Sequence, residues 1–191
     1  GTGRLVLDAF NLPVVSGQAP FFTAAVDGGT LVFEGVEDIT LNADRTFFNV
    51  ELNRSASESK VILGANLLLN GDLNIRQGTF QIGNSTTSRT MTLNGDLLVE
   101  NGGTLQVVKQ VFYGGFWNAV RQASRHAFNL SGSIINNGKI DLTINTQPVY
   151  RGTNTDLLGR PSEDVHLNYT TLTIKGASNT SLTANGTTNL H

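Results

Sequence analysis

Two aspartates occupy equivalent places in a short motif that this sequence contains twice. Asp72 and Asp96 each follow Asn-Gly and precede Leu in the motif Leu-Asn-Gly-Asp-Leu. If the two copies lie side by side, their carboxylates could share a Ca²⁺ ion, which prefers oxygen ligands. An aspartate beside a turn also accepts backbone N–H bonds, which requires no ion. Ser133 replaces the aspartate in a third copy, and this favours the structural interpretation over a metal site.

The densest acidic cluster consists of Glu34, Glu37 and Asp38. Clustered carboxylates serve polysaccharide lyases and glycoside hydrolases, so a carbohydrate-active enzyme is the alternative function class. The cluster lies at a predicted turn, however, where solvated acidic side chains are common. His126 and His166 are isolated, without Ser/His/Asp or metal-ligand spacing. The chain contains no cysteine, which excludes thiol chemistry, and we predict neither enzymatic activity nor a cofactor.

Residues 109–126 form the most unusual segment, because they combine the only tryptophan with other aromatic and basic residues. One interpretation is a contact site for a cell-surface glycan or protein, since aromatic and arginine side chains are enriched at interfaces. The other is a short helix over 117–128, whose apolar residues follow helical spacing and whose aromatic side chains would be buried. The candidate partner-binding residues, including two from the next long loop, are Tyr113, Phe116, Trp117, Arg121, Arg125, Tyr150 and Arg151.

The composition excludes several classes of protein. Charged residues make up 15% of the 191 residues and the net charge is −2, so no basic field for nucleic acid is present. No apolar run approaches the roughly 18 residues of a membrane-spanning helix, and we expect no membrane insertion. Polarity comes largely from Asn, Thr, Ser and Gly, which disfavour helices and favour turns. The chain is therefore predicted to be all-β, with short strands and tight turns.

An internal repeat organises the middle of the chain. Three segments align, over residues 67–82, 91–107 and 128–142, and the pattern of each predicts three short strands separated by two brief turns. Apolar residues within the strands fall two apart, as in Leu73 and Ile75, which indicates one buried and one solvated face. The first two segments begin about 24 residues apart, a suitable length for one coil of a parallel β-helix.

The Asn-Gly pairs at 70–71 and 94–95 permit a second interpretation. Asn-Gly between apolar runs is a strong signal for an antiparallel hairpin, which would build a sandwich. The recurrence of all three strands with the same order of turn lengths favours the alternative. We therefore predict a parallel β-helix, or β-solenoid, with three short strands per coil.

Three long insertions interrupt the repeat at the same point, at residues 83–90, 108–127 and 145–171. One corner of a stacked coil can lengthen without disturbing the core. We therefore predict long loops at one corner, where they would form the partner-facing edge.

We interpret residues 1–191 as one β-solenoid segment of a longer protein, so that further coils of the same chain would be its neighbours. Residues 29–144 would hold the repeated coils, including the 108–127 insertion, and the long loop would follow at 145–171. Residues 172–191 would begin another coil. Residues 1–28, which lack a clear period, form either a preceding coil or an extended segment.

Asn136 departs from the repeat, because it takes the place of Ile75 and Val99. A buried amide requires hydrogen-bond partners. Either the register slips and Ile135 turns inward, or the Asn136 side chain bonds to the backbone of an adjacent coil.

The N-terminal strands carry a family resemblance. Gly-Thr-Leu-Val-Phe-Glu-Gly at 29–35, Ile-Thr-Leu at 39–41 and Phe-Phe-Asn-Val-Glu-Leu at 47–52 precede the Leu-x-Gly-x-Leu or -Ile repeats. This order, over residues 29–145, resembles repetitive β-helix segments of very large secreted surface proteins of Bacteroidota. Such proteins resemble adhesins and gliding-motility filaments, often exported by type IX secretion.

The resemblance implies a structural or adhesive segment of a secreted bacterial cell-surface protein, such as an adhesin stalk or surface filament. It also implies an extracellular location, a surface glycan or protein as partner and, by analogy, contact with the secretion machinery. Stacked coils agree with this role, because each strand pairs with the next and the product is a stiff rod that needs no ligand.

Overall fold

The computed structural model describes residues 3–7, 28–84, 87–108, 123–142, 150–155, 161–163, 167–174 and 181–189. Every regular element in these ranges is a β-strand, so the all-β prediction is confirmed for them. The described residues include no helix that is long and apolar enough to cross a membrane. The strands are β1 (Arg4–Leu7), β2 (Thr30–Phe33), β3 (Ile39–Leu41), β4 (Arg45–Phe47), β5 (Asn49–Asn53), β6 (Lys60–Leu63), β7 (Leu67–Leu69), β8 (Leu73–Ile82), β9 (Thr90–Leu93), β10 (Leu97–Val107), β11 (Ala123–Leu130), β12 (Ile134–Asn136), β13 (Lys139–Asp141), β14 (Tyr150–Thr155), β15 (Pro161–Glu163), β16 (Leu167–Ile174), β17 (Leu182–Ala184) and β18 (Thr187–Asn189).

The strands pair in three rows, and every pairing within a row is parallel. Row one runs β1-β2-β5-β8-β10-β12-β17. Row two runs β3-β6-β8-β10-β13-β18 and joins row one through the long strands β8 and β10, which gives an 11-stranded sheet. Row three, β4-β7-β9-β11-β16, is a separate five-stranded sheet. Of the pairs between described strands, only β14 with β15 is antiparallel.

The hairpin interpretation of the Asn-Gly pairs is wrong. The strands that flank Asn70-Gly71, β7 and β8, belong to different sheets and pair with β9 and β10 rather than with each other. Gly71 and Gly95 also lack the positive φ that a type I′ hairpin turn requires at its second central residue. The chain turns a corner at each motif instead of reversing.

The register confirms the alignment of the three repeated segments. In row one, Leu73 pairs with Leu97, and Leu97 pairs with Ile134. The other two rows keep equivalent residues of successive segments opposite each other in the same way. Because paired strands keep alternate residues on the same side, the apolar positions form continuous buried columns.

The core consists of these columns. Fully buried side chains come from both sheets, and each contributes roughly 1.5–3 kcal/mol when it is removed from water. The best buried members are Phe33, Leu52, Val61, Leu63, Leu69, Leu73, Ile75, Phe80, Ile82, Met91, Leu93, Leu97, Val99, Leu105, Phe128 and Leu130.

The insertions all lie where the chain passes from row two to row three. The connections β8 to β9, β10 to β11 and β13 to β16 contain them, whereas the earlier connections β3 to β4 and β6 to β7 have three residues each, 42–44 and 64–66. The predicted 145–171 loop is not free of regular structure, because it contains β14, β15 and the start of β16.

The helix predicted over 117–128 is wrong where the structure describes it. Ala123–Leu130 is strand β11, which pairs with β9 on one side and β16 on the other. The buried residues His126, Phe128 and Leu130 alternate with partly exposed ones. Only Phe128 belongs to both this period of two and the helical spacing, and the backbone bonds of β11 to two neighbouring strands stabilise the extended conformation.

Candidate functional site

The aspartates of the repeated motif form part of a ladder that links successive strands of row one. The Asp72 Oδ1 atom accepts a bond from the Asp96 backbone N–H at 2.8 Å, and Asp96 Oδ1 accepts from the Ser133 N–H at 2.7 Å. Asn49 begins this series, because its Oδ1 atom accepts a bond from the Asp72 backbone N–H at 2.8 Å. Ser133 continues the series, because its Oγ accepts from the Ser181 N–H at 3.2 Å. We call Asn49, Asp72, Asp96, Ser133 and Ser181 the corner ladder.

The corner ladder supports the structural interpretation of Asp72 and Asp96. Each carboxylate caps a backbone donor of the following repeat, rather than one in its own turn. Among the described residues, no three His, Cys, Asp or Glu side chains lie close enough together to hold a metal ion. Asn and Ser perform the same bond at other steps of the ladder, so the bond depends on a short side chain with an acceptor oxygen, whatever its charge.

Glycine in the motif allows the ladder to form. A Cβ atom on Gly95 would lie 2.3 Å from Asp72 Oδ1 and 2.5 Å from the Gly71 carbonyl oxygen. At Gly132, a Cβ atom would lie 2.4 Å from Asp96 Oδ1. The Leu-x-Gly-x-Leu spacing is therefore required by the close approach of one corner to the next, and not by a left-handed turn.

The acidic cluster at 34–38 is organised by a buried cation that the sequence did not single out. Arg54 is only 1% exposed, and its guanidinium donates to the carbonyl oxygens of Glu34 and Glu37. Ser59 Oγ donates to the Val36 carbonyl oxygen at 2.5 Å. Burial lowers the pKa of Arg54, and the nearby Asp38 carboxylate opposes that shift. The turn is thus held through its backbone, from the inside.

The carboxylates of this cluster also make structural contacts. Asp38 Oδ1 accepts from the Lys60 backbone N–H at 2.8 Å, as the corner-ladder aspartates do. Glu34 Oε1 accepts from Asn53 Nδ2 at 3.3 Å. These bonds connect the turn to β5 and β6 and give two of the three acidic side chains a structural contact.

A row of alternating charges crosses the outer face of row one. Arg4 binds the Glu51 carboxylate through two hydrogen bonds, of 3.0 and 2.9 Å, which raise the pKa of Arg4. Arg76 lies 3.4 Å from Glu51 and also 3.4 Å from Glu100. The four residues come from β1, β5, β8 and β10, and only Glu51 is buried. The two positive and two negative charges cancel, so this row of charges has no net charge that could attract a partner.

Asn136 adopts the second of the two predicted arrangements, in which its side chain points inward and bonds to a neighbouring part of the repeat. It pairs with Val99 and is fully buried, while Ile135 is 41% exposed, so the register does not slip. Its Nδ2 donates to the Thr187 carbonyl at 2.9 Å and to Thr188 Oγ1 at 2.7 Å, both in β18 of row two. Its Oδ1 accepts from the Gly138 N–H at 3.0 Å.

His126 is a buried packing residue of the insertion corner. It is 1% exposed, and its Nδ1 atom accepts a bond from the Arg89 backbone N–H at 3.2 Å. Gly83 packs on the imidazole so closely that a Cβ atom there would lie 2.3 Å from Cε1. His126 therefore belongs to the interior and not to a contact surface.

The side chains of the predicted partner-binding residues lie outside the part of the chain that the structure describes. Tyr113, Phe116, Trp117 and Arg121 lie outside the described residues. Arg125 belongs to β11, and Tyr150 and Arg151 belong to β14, but their side chains are also outside the description. Along the chain, Tyr150 and Arg151 lie between β13 of row two and β16 of row three, whereas Arg125 belongs to a strand of row three itself.

Comparison of the chain with protein-family models, with curated proteins and with solved structures finds no match.

Proposed function

We propose that the three rows are the three faces of a parallel β-solenoid, in which β8 and β10 each supply two faces of their coil. The observation that carries this proposal is the register: residues of one repeat pair in parallel with the equivalent residues of the next, in all three rows. From β2 onward, the described strands of these rows follow the constant order one, two, three before the chain returns to row one. A helical path with stacked coils accounts for both features.

We further propose that this rod is a structural or adhesive segment of a large secreted bacterial surface protein. Several polar side chains stabilise the stacking of the strands. The corner ladder, Arg54 and Asn136 all form hydrogen bonds to backbone groups of other strands or turns. A stiff scaffold with insertions along one edge is suited to spacing and attachment. The proposed location is extracellular, on the cell surface.

Antibodies raised against the chain would test this location. They should label intact cells of the source organism, and external protease should remove the label. Labelling that requires cell lysis would contradict the proposal.

The insertion corner is the proposed contact edge for a glycan or protein. Replacing Trp117 and Arg121 together by alanine should weaken binding of the chain to cells or to a glycan array by at least about tenfold, or roughly 1.4 kcal/mol. Arg76→Ala, at an exposed position of β8 and away from the insertions, is the matched control and should retain binding. Equal loss in both variants would contradict a site at the insertions.

A further inference from the structure

Five asparagines of this chain are followed by glycine, and all five lie in the described residues: Asn70, Asn94, Asn101, Asn137 and Asn185. Asn-Gly is the dipeptide most susceptible to deamidation, because glycine has no side chain that would obstruct the attack of its backbone nitrogen on the asparagine side chain. The glycine N bonds to the asparagine Cγ, the Cγ–Nδ2 bond breaks and ammonia leaves. Water then opens the resulting succinimide to aspartate or isoaspartate. The reaction requires a carboxamide that can rotate and space beside the glycine nitrogen.

Two of these sites are restrained by each other and by neighbouring strands. Asn94 Nδ2 donates to Asn70 Oδ1 at 3.3 Å. The Gly71 N–H donates to the Phe48 carbonyl at 2.8 Å, and the Gly95 N–H donates to the Gly71 carbonyl at 3.0 Å. Both the carboxamide and the attacking nitrogen are therefore engaged at each site.

The sites at Asn137 and Asn185 are restrained in the same way. Asn185 Nδ2 donates to Asn137 Oδ1 at 2.9 Å. The Gly138 N–H donates to Asn136 Oδ1 at 3.0 Å, and the Gly186 N–H donates to the Asn136 carbonyl at 2.9 Å. Space is also lacking, because a Cβ atom on Gly138 or Gly186 would lie only 2.2 or 2.0 Å from a neighbouring carbonyl oxygen.

Asn101 differs from the other four in its side chain, its backbone and its space. It is exposed, and in the part of the chain that the structure describes its carboxamide has no hydrogen-bond partner. The pairing of β10 with β8 shifts between Val99 and Gly102, so Asn101 lies in a bulge of the ladder. The nearest atom to a Cβ on Gly102 would be 3.1 Å away, clearly farther than at the restrained glycines.

We propose that Asn101 is the deamidation site of the folded protein, and that the stacked corners protect the other four asparagines. The product carries a new carboxylate next to Glu100, which already lies 3.4 Å from Arg76. An isoaspartate would add one carbon to the main chain at a bulge, where strand pairing is already interrupted. The proposal is independent of the adhesive function and concerns only the deamidation of an exposed residue of β10.

Ageing of the folded chain in mildly alkaline buffer made with ¹⁸O water, followed by peptide mapping, tests the proposal. Asn101 should lose its amide at least about tenfold faster than any of the other four asparagines, which corresponds to about 1.4 kcal/mol in the barrier. The chain unfolded in denaturant should lose amide at all five sites at similar rates. Gly102→Ala should slow the loss at Asn101 and leave the other sites unchanged.

Two outcomes would overturn the proposal. One is amide loss at Asn101 in the folded chain that is no faster than at Asn70, Asn94, Asn137 and Asn185. The other is retention of all five amides over a period in which the unfolded chain loses them. Retained circular dichroism during ageing ensures that the folded state is the one measured.

Discussion

Single atoms at the corners decide how closely neighbouring strands approach. At Gly95 the space of a side chain is already filled by Asp72 Oδ1 and by the Gly71 carbonyl. At Asn136 an amide replaces an aliphatic side chain and satisfies three backbone or hydroxyl partners in the interior. Both residues act on the contact between one repeat and the next, and both can be tested by small substitutions.

Gly95→Ala should destabilise the fold by about 1–3 kcal/mol, because the added methyl group forces two corners apart. The measurement is the free energy of unfolding in denaturant. Gly102→Ala is the matched control, since its Cβ would meet no atom closer than 3.1 Å. An equal effect of the two substitutions would refute the steric explanation of the motif.

Asn136→Ala should cost about 1–3 kcal/mol, because it leaves the Gly138 N–H and the Thr187 carbonyl without their buried partner. Asn101→Ala, at an exposed position whose carboxamide makes no hydrogen bond in the described part of the chain, should change stability by less than about 0.5 kcal/mol. Thermal unfolding of both variants gives the comparison. A neutral Asn136 substitution would show that water replaces the amide.

Between elements, the decisive feature is the parallel register. Residues of β8 lie opposite the equivalent residues of β10, with Asn74 beside Leu98 on the outward side. Neighbouring strands lie about 4.8 Å apart, which is within the range that a disulfide can bridge. Because the chain contains no cysteine, an introduced pair of cysteines can be cross-linked without competition from native thiols.

The double substitution Asn74→Cys with Leu98→Cys should therefore form an intramolecular disulfide under mild oxidation. Peptide mapping without reduction would detect it. The pair Asn74→Cys with Thr92→Cys is the control, since Thr92 belongs to the other sheet and pairs with Leu68 and Asn129. Efficient cross-linking in the control pair and none in the first would contradict the register.

For the whole molecule, the proposed solenoid is stabilised by stacking, and its polar ladders use hydrogen bonds instead of bound ions. Calcium and a chelator should therefore leave the midpoint of thermal unfolding unchanged. Asp96→Asn keeps the acceptor oxygen and should retain stability, whereas Asp96→Ala should lose about 0.5–1.5 kcal/mol. Stabilisation by calcium that Asp96→Asn abolishes would instead assign a metal to this corner.

The repeat, its inward-facing residues and its corner motif could be predicted from the sequence, but the second turn predicted in the first two repeats is absent, because β8 and β10 each continue through it as one long strand. Apolar residues two apart, as at Leu73 and Ile75, mark a strand with one buried face wherever it pairs. The alignment of Leu73 with Leu97 and Ile134 follows from the repeat and is confirmed in the register. The helical spacing over 117–128 gave a wrong prediction, because the C-terminal part of that segment belongs to β11, whose buried residues His126, Phe128 and Leu130 fall two apart.

The choice between a hairpin and a corner at each Asn-Gly pair was decided only by the tertiary structure. Asn-Gly is compatible with a hairpin or with a corner, and the choice depends on bonds to strands 24 residues away. The buried Arg54 and the charge row through Glu51 have no local signal, because their partners lie 17 to 47 residues distant. Local periodicity determines which residues face inward, whereas stacking brings these distant polar groups within hydrogen-bond reach.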